Sequence, residues 1–520
     1  MKPTRENIFE YLLKLYRDND LYGLCFAGVL FLLLLPYSIQ IEFMQNDDWV
    51  YYGMVERFMN LNFTLDPLSA PTFYTQGILG ALFSRIFGIE YLPVLTLIVS
   101  AAVFFVLYKI LLEHFNLSRF SAVSVSMLVF FNPFFMYSVW GFMTENYFLL
   151  FLLLAVMFYL KFLNSGKNID AVVYGIFLFL ALNIRQVAIA FPLSALMYSL
   201  IKKDKKLILL NLLILSVLTV YYILIFPSTA EMSEKSLQFH HLTDIPYIYA
   251  LIFGSFVLLT ALMIPLILPV PGKFDLKKVL IFLGLAGGLY FLLNYLFDPS
   301  KLAWAEFPFF ENTFERKGFY PRGVLGTKYH FKYMYDLYYN WYIVAKIVLS
   351  LFLAGLVMRI RKTPGLWGIF IMVYLGVMVL AETFYDRYLV ALLPFVVFFA
   401  LGINGFKTLN KLLLLPFVLF LSFYCYQFSM DFILVNKYIW NKSEELVVSY
   451  DKEPRRIQGT TAWNLKNLNE RRNYTFDFSY DSPIVNENYR EHYSIEEIKR
   501  IDFQGSLWVN PYVYLYKKIN

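Results

Sequence analysis

The chain has 520 residues, of which 59% are hydrophobic and only 16% are charged. Soluble domains contain roughly 45–50% apolar and about 25% charged residues. With so few charges a soluble fold could not cover its own surface, so the composition excludes a string of soluble domains. It predicts a protein that crosses a bilayer many times. The net charge of +7 therefore bears on orientation in the membrane and gives no reason to expect nucleic-acid binding.

Thirteen nearly uncharged runs approach the length that a spanning helix needs. The two shortest flank Asn183 to Gln186 and could instead form a re-entrant hairpin, which would leave the topology unchanged. We therefore predict an all-α polytopic membrane protein with about 13 transmembrane helices, each of about 20 residues. The predicted spans are 21–41, 91–112, 120–140, 145–163, 169–183, 187–201, 206–226, 246–270, 277–297, 341–358, 365–382, 387–405 and 411–428.

Lysine and arginine are distributed unevenly between the two sides of this topology. Short segments on one side are basic, as at 202–206 and 359–362, whereas short segments on the other side are nearly free of cations. Because basic loops stay in the cytoplasm, we predict a cytoplasmic N-terminus and an extracytoplasmic C-terminus. We expect a multi-pass protein of the plasma (inner) membrane.

The predicted outer segments divide the chain into two domains. Residues 1–429 form a transmembrane domain whose outer loops, 42–90 and 298–340, are longer than a connection needs. Residues 430–520 form a small extracytoplasmic α+β domain, in which a capping-box pattern from Ser494 to Glu497 predicts a helix. Within the first loop, Gly77 to Phe87 is predicted to be a helix on the membrane surface.

Charged residues are almost absent at mid-depth in the spans and gather at their outer ends. Asp47 and Asp48 directly follow the first span. Two adjacent acids at a membrane boundary repel each other and are partly desolvated, which raises the pKa of at least one. Such a carboxylate can take a proton from an incoming hydroxyl or amine. The alternative is a solvated start of an outer loop.

Three further outer-end features allow two readings each. Glu145 could orient an acceptor or bind a metal, but an acid is also favourable at a helix N-terminus. Arg185 could contact phosphate, or its long side chain could simply snorkel to the interface. His240 and His241 are adjacent, and neighbouring imidazoles seldom share one metal ion. We therefore predict no cofactor, with a divalent metal as the alternative.

The first outer loop resembles that of a known enzyme family. Asp47-Asp48-x-x-Tyr51 is similar to the Asp-Glu-x-x-Tyr motif of the GT-C glycosyltransferases. The nearest branch contains the protein O-mannosyltransferase-like and lipid A aminoarabinose transferase-like enzymes. Here the second acid is Asp48 in place of Glu, a change that keeps the negative charge.

Two later segments extend the resemblance over about residues 20–405. Gln76 to Gly88 resembles the surface helix of the family, and Arg387 to Pro394 resembles an Arg-Tyr-x-x-x-x-x-Pro signature that opens a late span. The Pro-Pro element that precedes the surface helix in the family is reduced here to Ser69-Ala70-Pro71.

The resemblance implies an integral-membrane glycosyltransferase that moves a hexosyl or pentosyl group from a polyprenyl-phosphate donor. The acceptor would be a lipid, a glycan or a protein on the outer face, and the anomeric configuration would invert. Asp47 would be the general base, and Asp48 and Glu145 further catalytic acids. Arg387 and Arg185 would bind the donor phosphate, because arginine is always charged and binds phosphate bidentately.

Aromatic and basic residues alternate in the late outer loop. Arg322 and Lys328 are further candidates for binding the donor phosphate, and Tyr320 and Tyr329 would join Tyr51 in contacting substrates. Aromatic faces stack on sugars while cations attract phosphate. The alternative is an aromatic belt that anchors this loop at the membrane interface.

Two other functions stay open. A flippase or transporter of envelope precursors is disfavoured because ion-coupled transporters place ionisable groups near the midplane, where these spans have almost none. A surface-polysaccharide polymerase or ligase is expected to place its key arginines in a large late loop, which 298–340 resembles. The acidic motif directly after the first span favours the glycosyltransferase.

Overall fold

The structure is a computed structural model in which helices predominate. It describes residues 20–66, 72–224, 238–268, 276–297, 334–358, 365–381, 383–451, 453–467, 474–479, 493–501 and 512–519. Statements about the structure below refer to these residues.

Each of the thirteen predicted spans contains a helix, as expected for a polytopic membrane protein. Within the described ranges, nine helices are long and apolar enough to cross a bilayer, and four of 10–17 residues are apolar but shorter. The helices are α1 (Asp20–Ser38), α2 (Asp48–Met59), α3 (Tyr74–Phe87), α4 (Leu92–Phe115), α5 (Arg119–Phe130), α6 (Pro133–Tyr137), α7 (Thr144–Ser165), α8 (Asn168–Leu182), α9 (Ala190–Lys202), α10 (Lys205–Leu224), α11 (Ile245–Ile267), α12 (Leu276–Leu296), α13 (Met334–Met358), α14 (Leu366–Val379), α15 (Leu393–Asn404), α16 (Thr408–Tyr450) and α17 (Thr461–Lys466).

The run predicted at 120–140 is not one continuous helix. It ends as α5 at Phe130 and restarts as the short α6 at Pro133. Proline has no backbone N–H and pushes the preceding residue out of the helical region, and Asn132 is extended. The Asn132 carboxamide then accepts a hydrogen bond from the Phe134 backbone N–H at 3.1 Å, which caps α6. The break places 138–143 in a loop that reaches the candidate site.

The predicted surface helix is present as α3. Small residues on one face let it pack closely on α2, because a Cβ at Gly80 would lie 2.9 Å from a methyl carbon of Val55. Its opposite face exposes Ile78, Leu82 and Ile86, which are spaced by four residues and so lie in one row. This arrangement holds α2 against the helix bundle. Asp47 and Asp48 lie at the start of α2.

The C-terminal part differs from the sequence-based prediction in one element. Residues 493–500 form a strand, although the capping-box pattern predicted a helix. This strand pairs in antiparallel register with the strand Tyr512–Lys518, and Ile498 lies opposite Tyr514. Glu497 also accepts a hydrogen bond from the Tyr438 hydroxyl at 3.0 Å. Tertiary pairing therefore outweighs the local helix signal. The strands described are β1 (Ile457–Gln458), β2 (Phe476–Ser479), β3 (Tyr493–Arg500) and β4 (Tyr512–Lys518), in the order β1-β2-β4-β3.

A long helix connects this sheet to the bundle. α16 has 43 residues and continues without a break past residue 430, where the domain boundary was predicted. It carries Lys437, whose ammonium lies 2.9 Å from the Glu42 carboxylate in the first outer loop. Lys442 lies 3.0 Å from the carboxylate of Glu497 in β3. α16 is thus the common support of the first outer loop and the sheet.

Candidate functional site

Four charged residues from distant parts of the chain meet at one end of the bundle. Asp47 precedes α2, Glu145 lies in the first turn of α7, Arg185 follows α8, and Arg387 is the second residue of the 3-10 helix that leads into α15. All four were sequence-based candidates, and ion pairs link them into one group. We call these four residues the acid–arginine cluster.

Glu145 is the centre of the cluster. Its side chain has no exposed surface, and its Oε1 accepts a hydrogen bond from Arg185 Nη2 at 2.6 Å. Arg387 Nε lies 3.5 Å from the same oxygen. A buried carboxylate is strongly unfavourable unless it is paired, so the two guanidinium groups account for the burial of Glu145.

Arg185 is fixed by two further contacts. Its Nε donates a hydrogen bond to Thr144 Oγ1 at 2.8 Å, and its guanidinium carbon lies 4.7 Å from the centre of the Tyr388 ring. Thr144 does not cap α7, because the N-cap residue is Met143 and no side-chain cap bond is formed. The hydroxyl of Thr144 instead orients the arginine.

Arg387 is buried but only partly satisfied. Its Nη2 donates a hydrogen bond to Asp47 Oδ2 at 3.3 Å, and its guanidinium carbon lies 5.1 Å from the Tyr385 ring centre. Its Nη1 and Nε have no hydrogen-bond partner within the described part of the chain. An always-charged group with unused N–H donors is suited to binding an anion.

The backbone that carries Arg387 is unusual. Asp386–Leu392 forms a seven-residue 3-10 helix, whereas runs longer than 3–4 residues are uncommon. The hydroxyl of Tyr374 on α14 donates a hydrogen bond to the Tyr388 carbonyl at 2.8 Å, which holds this segment in place. The Tyr388 ring also lies 5.8 Å from the Arg387 guanidinium carbon, so both arginines contact one aromatic ring.

Asp47 is the most accessible acid of the cluster, with a side chain that is 36% exposed. Asn46 before it has a φ of 44° and donates a hydrogen bond from Nδ2 to Asp47 Oδ2 at 3.2 Å. Both hydrogen bonds are accepted by Oδ2, and among the described residues Oδ1 accepts none. Oδ1 of this partly exposed carboxylate is therefore left for a further hydrogen bond.

Asp48 has a different environment from Asp47. It is buried, and its Oδ2 accepts hydrogen bonds from the backbone N–H groups of Gln45 at 3.1 Å and Phe142 at 3.0 Å. The pKa of Asp48 is raised to about 8, mainly by burial. The two backbone donors lower this pKa, and the charges of Asp47 and Glu145 raise it. Asp48 thus joins the first outer loop to the loop at 138–143.

Gly141 makes that junction possible. A Cβ at this position would collide with Gln45 Oε1 and come within 2.5 Å of Asp48 Oδ2. Gln45 Nε2 donates a hydrogen bond to the Tyr137 carbonyl at 2.9 Å, which is a second link between the two loops. Only a residue without a side chain permits this approach.

The remaining candidates fall into two groups. Tyr51 is buried against Phe73, with ring centres 4.8 Å apart, and burial raises its pKa, with the nearby charges of Asp47 and Glu145 raising it further. Tyr51 therefore borders the acid–arginine cluster. The candidates of the late outer loop lie outside the described residues: Tyr320, Arg322, Lys328 and Tyr329.

No cation-binding group emerges from the described part of the chain. Among those residues, no set of three or more His, Cys, Asp or Glu side chains could hold a metal ion. His241 Nδ1 lies 3.1 Å from the Val379 carbonyl oxygen, and its ring packs on Tyr247. The absence of a cofactor stays a prediction.

Several residues of the site were not identified from the sequence. Gln45, Gly141 and Tyr374 have no role that spacing alone could reveal. The one readable signal was the aromatic pair around Arg387, since Tyr385 and Tyr388 flank a cation at a helix start, a pattern typical of cation–π contacts.

Residues 73–230 match the family model described as dolichyl-phosphate-mannose-protein mannosyltransferase. The match confirms the resemblance to GT-C glycosyltransferases and supports a membrane glycosyltransferase of the mannosyltransferase type. It includes Glu145 and Arg185 and ends before Arg387, while Asp47 lies ahead of it. Comparison with curated proteins and with solved structures gave no match.

Asp48 should make stability depend on pH. Its folded-state pKa of about 8 lies above the usual Asp value. Stability is therefore lost as pH rises from about 4 to about 8, at up to roughly 1.4 kcal/mol per pH unit. We expect Asp48→Asn to remove this slope and to be more stable than the unmodified chain at pH 7, as measured by thermal unfolding in detergent across this range. Equal slopes for both proteins would contradict the assignment.

Proposed function

We propose that the protein transfers a sugar from a polyprenyl-phosphate donor to a lipid, glycan or protein acceptor, at the extracytoplasmic face of the plasma membrane. The observation that carries this proposal is the pairing of a partly exposed acid, Asp47, with a buried arginine that has unused donors, Arg387. The match of 73–230 to a mannosyltransferase family supports the type of reaction. The donor, the acceptor and the orientation are parts of the proposal.

Asp47 is the proposed general base. As the acceptor oxygen or nitrogen attacks the anomeric carbon, its proton passes to Asp47 and the bond from that carbon to the phosphate oxygen breaks. Attack on the face opposite the leaving group inverts the anomeric configuration. The polyprenyl phosphate leaves as an anion and needs no proton if cations stabilise it.

Arg387 is the proposed partner of the donor phosphate. Its Nη1 makes no hydrogen bond within the described residues, whereas its Nε faces Glu145, and its bond to Asp47 is a long 3.3 Å. An arriving phosphate would compete with Asp47 for the guanidinium. Donor binding would thereby release the carboxylate to act as a base, so that the base becomes active when the donor is present.

Glu145 is better suited to positioning than to acid–base chemistry. Its Oε1 is already engaged by Arg185 and lies near Arg387, and its side chain is buried. We therefore assign it the role of holding both arginines in place. Asp48 is likewise a positioning residue, because both of its described hydrogen bonds are to backbone N–H groups of the two loops.

The location of the cluster argues against the alternative of transport. The four charged groups lie at helix ends and in the loops that join them, whereas a coupled transporter would place such groups near the midplane. The late outer loop, on which the polymerase alternative depends, lies outside the described residues.

Asp47→Asn should abolish transfer while leaving the fold intact. Loss of a general base lowers the rate by about 10²–10⁴-fold. The assay uses purified protein, a radiolabelled polyprenyl-phosphate sugar and an acceptor extract. The matched control is Glu56→Gln, which neutralises an exposed acid on the adjoining helix α2 and should transfer at the normal rate. Undiminished transfer by Asp47→Asn would exclude Asp47 as the base.

Arg387→Lys should weaken donor use even though it keeps the positive charge. Lysine lacks the planar fork that binds phosphate bidentately and contacts Tyr385, so a rise of about tenfold or more in the donor KM is expected. Arg456→Lys changes an exposed arginine beside the C-terminal sheet and serves as the control. A donor KM equal to that of the control would assign the phosphate to another group.

A further inference from the structure

At the end of the bundle opposite to the acid–arginine cluster, two tight turns between consecutive helices lie side by side. One joins α7 to α8 and the other joins α9 to α10. Lys206 Nζ donates a hydrogen bond to the Gly166 carbonyl at 3.2 Å, which links the two turns directly. Further along the same helices, the Tyr174 hydroxyl donates to Asn211 Oδ1 at 3.1 Å. The turns therefore form one continuous surface.

This surface is strongly basic, and its two acids, Asp170 and Asp204, accept local hydrogen bonds. Asp204 Oδ1 accepts hydrogen bonds from the backbone N–H groups of Lys206 and Leu207, and Asp170 Oδ2 accepts one from Ser165 Oγ. Six lysines share the surface, and within the described ranges none of them forms an ion pair. They are Lys161, Lys167, Lys202, Lys203, Lys205 and Lys206.

Aromatic rings lie beneath three of the ammonium groups. Lys161 Nζ is 5.0 Å from the Phe158 ring centre, and Lys206 Nζ is 4.9 Å from that of Phe162. Lys202 has a similar contact with the ring of a tyrosine one turn earlier in its helix. The stems of these lysines thus cover apolar surface while their charged ends stay at its edge.

Exposed aliphatic side chains continue from the lysines along the helices. Leu209 and Leu213 on α10 are exposed by 69% and 60%, and Val172 and Ile176 on α8 by 56% and 51%. The same two helices therefore present cations at their ends and an apolar surface immediately beyond. A ligand that fits both parts must be an amphiphile with an anionic head.

We propose that this surface binds an anionic phospholipid, whose headgroup phosphate contacts the lysines and whose acyl chains lie along α8 and α10. Basic surfaces beside transmembrane helices attract anionic headgroups, and each Lys or Arg adds to this attraction. Soluble anions such as nucleic acid or an acidic peptide would satisfy the lysines but not the exposed leucines. The site is separate from the acid–arginine cluster and does not depend on the proposed reaction.

The test compares lipids by the thermal unfolding of the purified full chain in detergent. Phosphatidylglycerol, phosphatidylcholine and inorganic phosphate are titrated separately, and the rise in midpoint gives an apparent affinity. The variant replaces Lys202, Lys203 and Lys205 by Gln and keeps Lys206, whose bond to Gly166 links the turns. The control variant replaces Lys277 and Lys278 by Gln in the first turn of α12.

We expect phosphatidylglycerol to stabilise the unmodified chain and the control variant, with an affinity at least about tenfold higher than for the triple variant. Equal stabilisation by phosphatidylcholine would overturn the proposal, because the headgroup charge would then be irrelevant. Stabilisation by inorganic phosphate alone would overturn the assignment to a lipid. An unchanged affinity in the triple variant would exclude these lysines as the site.

Discussion

The candidate site depends on one buried carboxylate. Glu145 lies where a lone charge would be strongly unfavourable, and two arginines from segments 40 and more than 200 residues away compensate it. This pairing requires the start of α7, the junction of α8 and α9, and the 3-10 helix before α15 to meet at one point. Removing one partner of a buried ion pair typically destabilises a protein by about 3–5 kcal/mol, so the cluster also constrains the fold.

The second constraint is the separation of two neighbouring acids. Asp47 and Asp48 are adjacent in the chain, yet one is partly exposed beside Arg387 and the other is buried beneath the loop at 138–143. The left-handed turn at Asn46 and the start of α2 direct the two side chains to different surroundings. The close approach at Gly141 then encloses Asp48. Asp48 therefore joins two loops, while Asp47 stays partly exposed, as the proposed role of a base requires.

Much of the fold was predictable because membrane spans are encoded by local composition. Within the described ranges, apolar length identified all nine helices that are long enough to cross a bilayer, and the lack of mid-depth charge directed the search for candidate site residues to helix ends. The break at Pro133 was also local but was missed, since the apolar run continues across it. The strand at 493–500 was not predictable from its own residues, because its pairing with β4 and the contact of Glu497 with Tyr438 come from distant segments.

The sequence indicated which charged residues belong to the candidate site, but it did not indicate how they contact one another. Asp47, Glu145, Arg185 and Arg387 were each identifiable as charges at outer helix ends. Their spacing could not show that Glu145 holds the arginines or that Tyr388 contacts both of them. Those relations depend on which helix ends become neighbours in space. The sequence also could not separate the roles of the two adjacent acids, since burial alone distinguishes them.

The most direct test of the central claim is a structure of the protein with a polyprenyl phosphate bound. We expect phosphate oxygens within hydrogen-bonding distance of the Arg387 guanidinium, Glu145 still paired with Arg185, and Asp47 separated from Arg387. Phosphate bound elsewhere, with the bond between Asp47 and Arg387 intact, would contradict it.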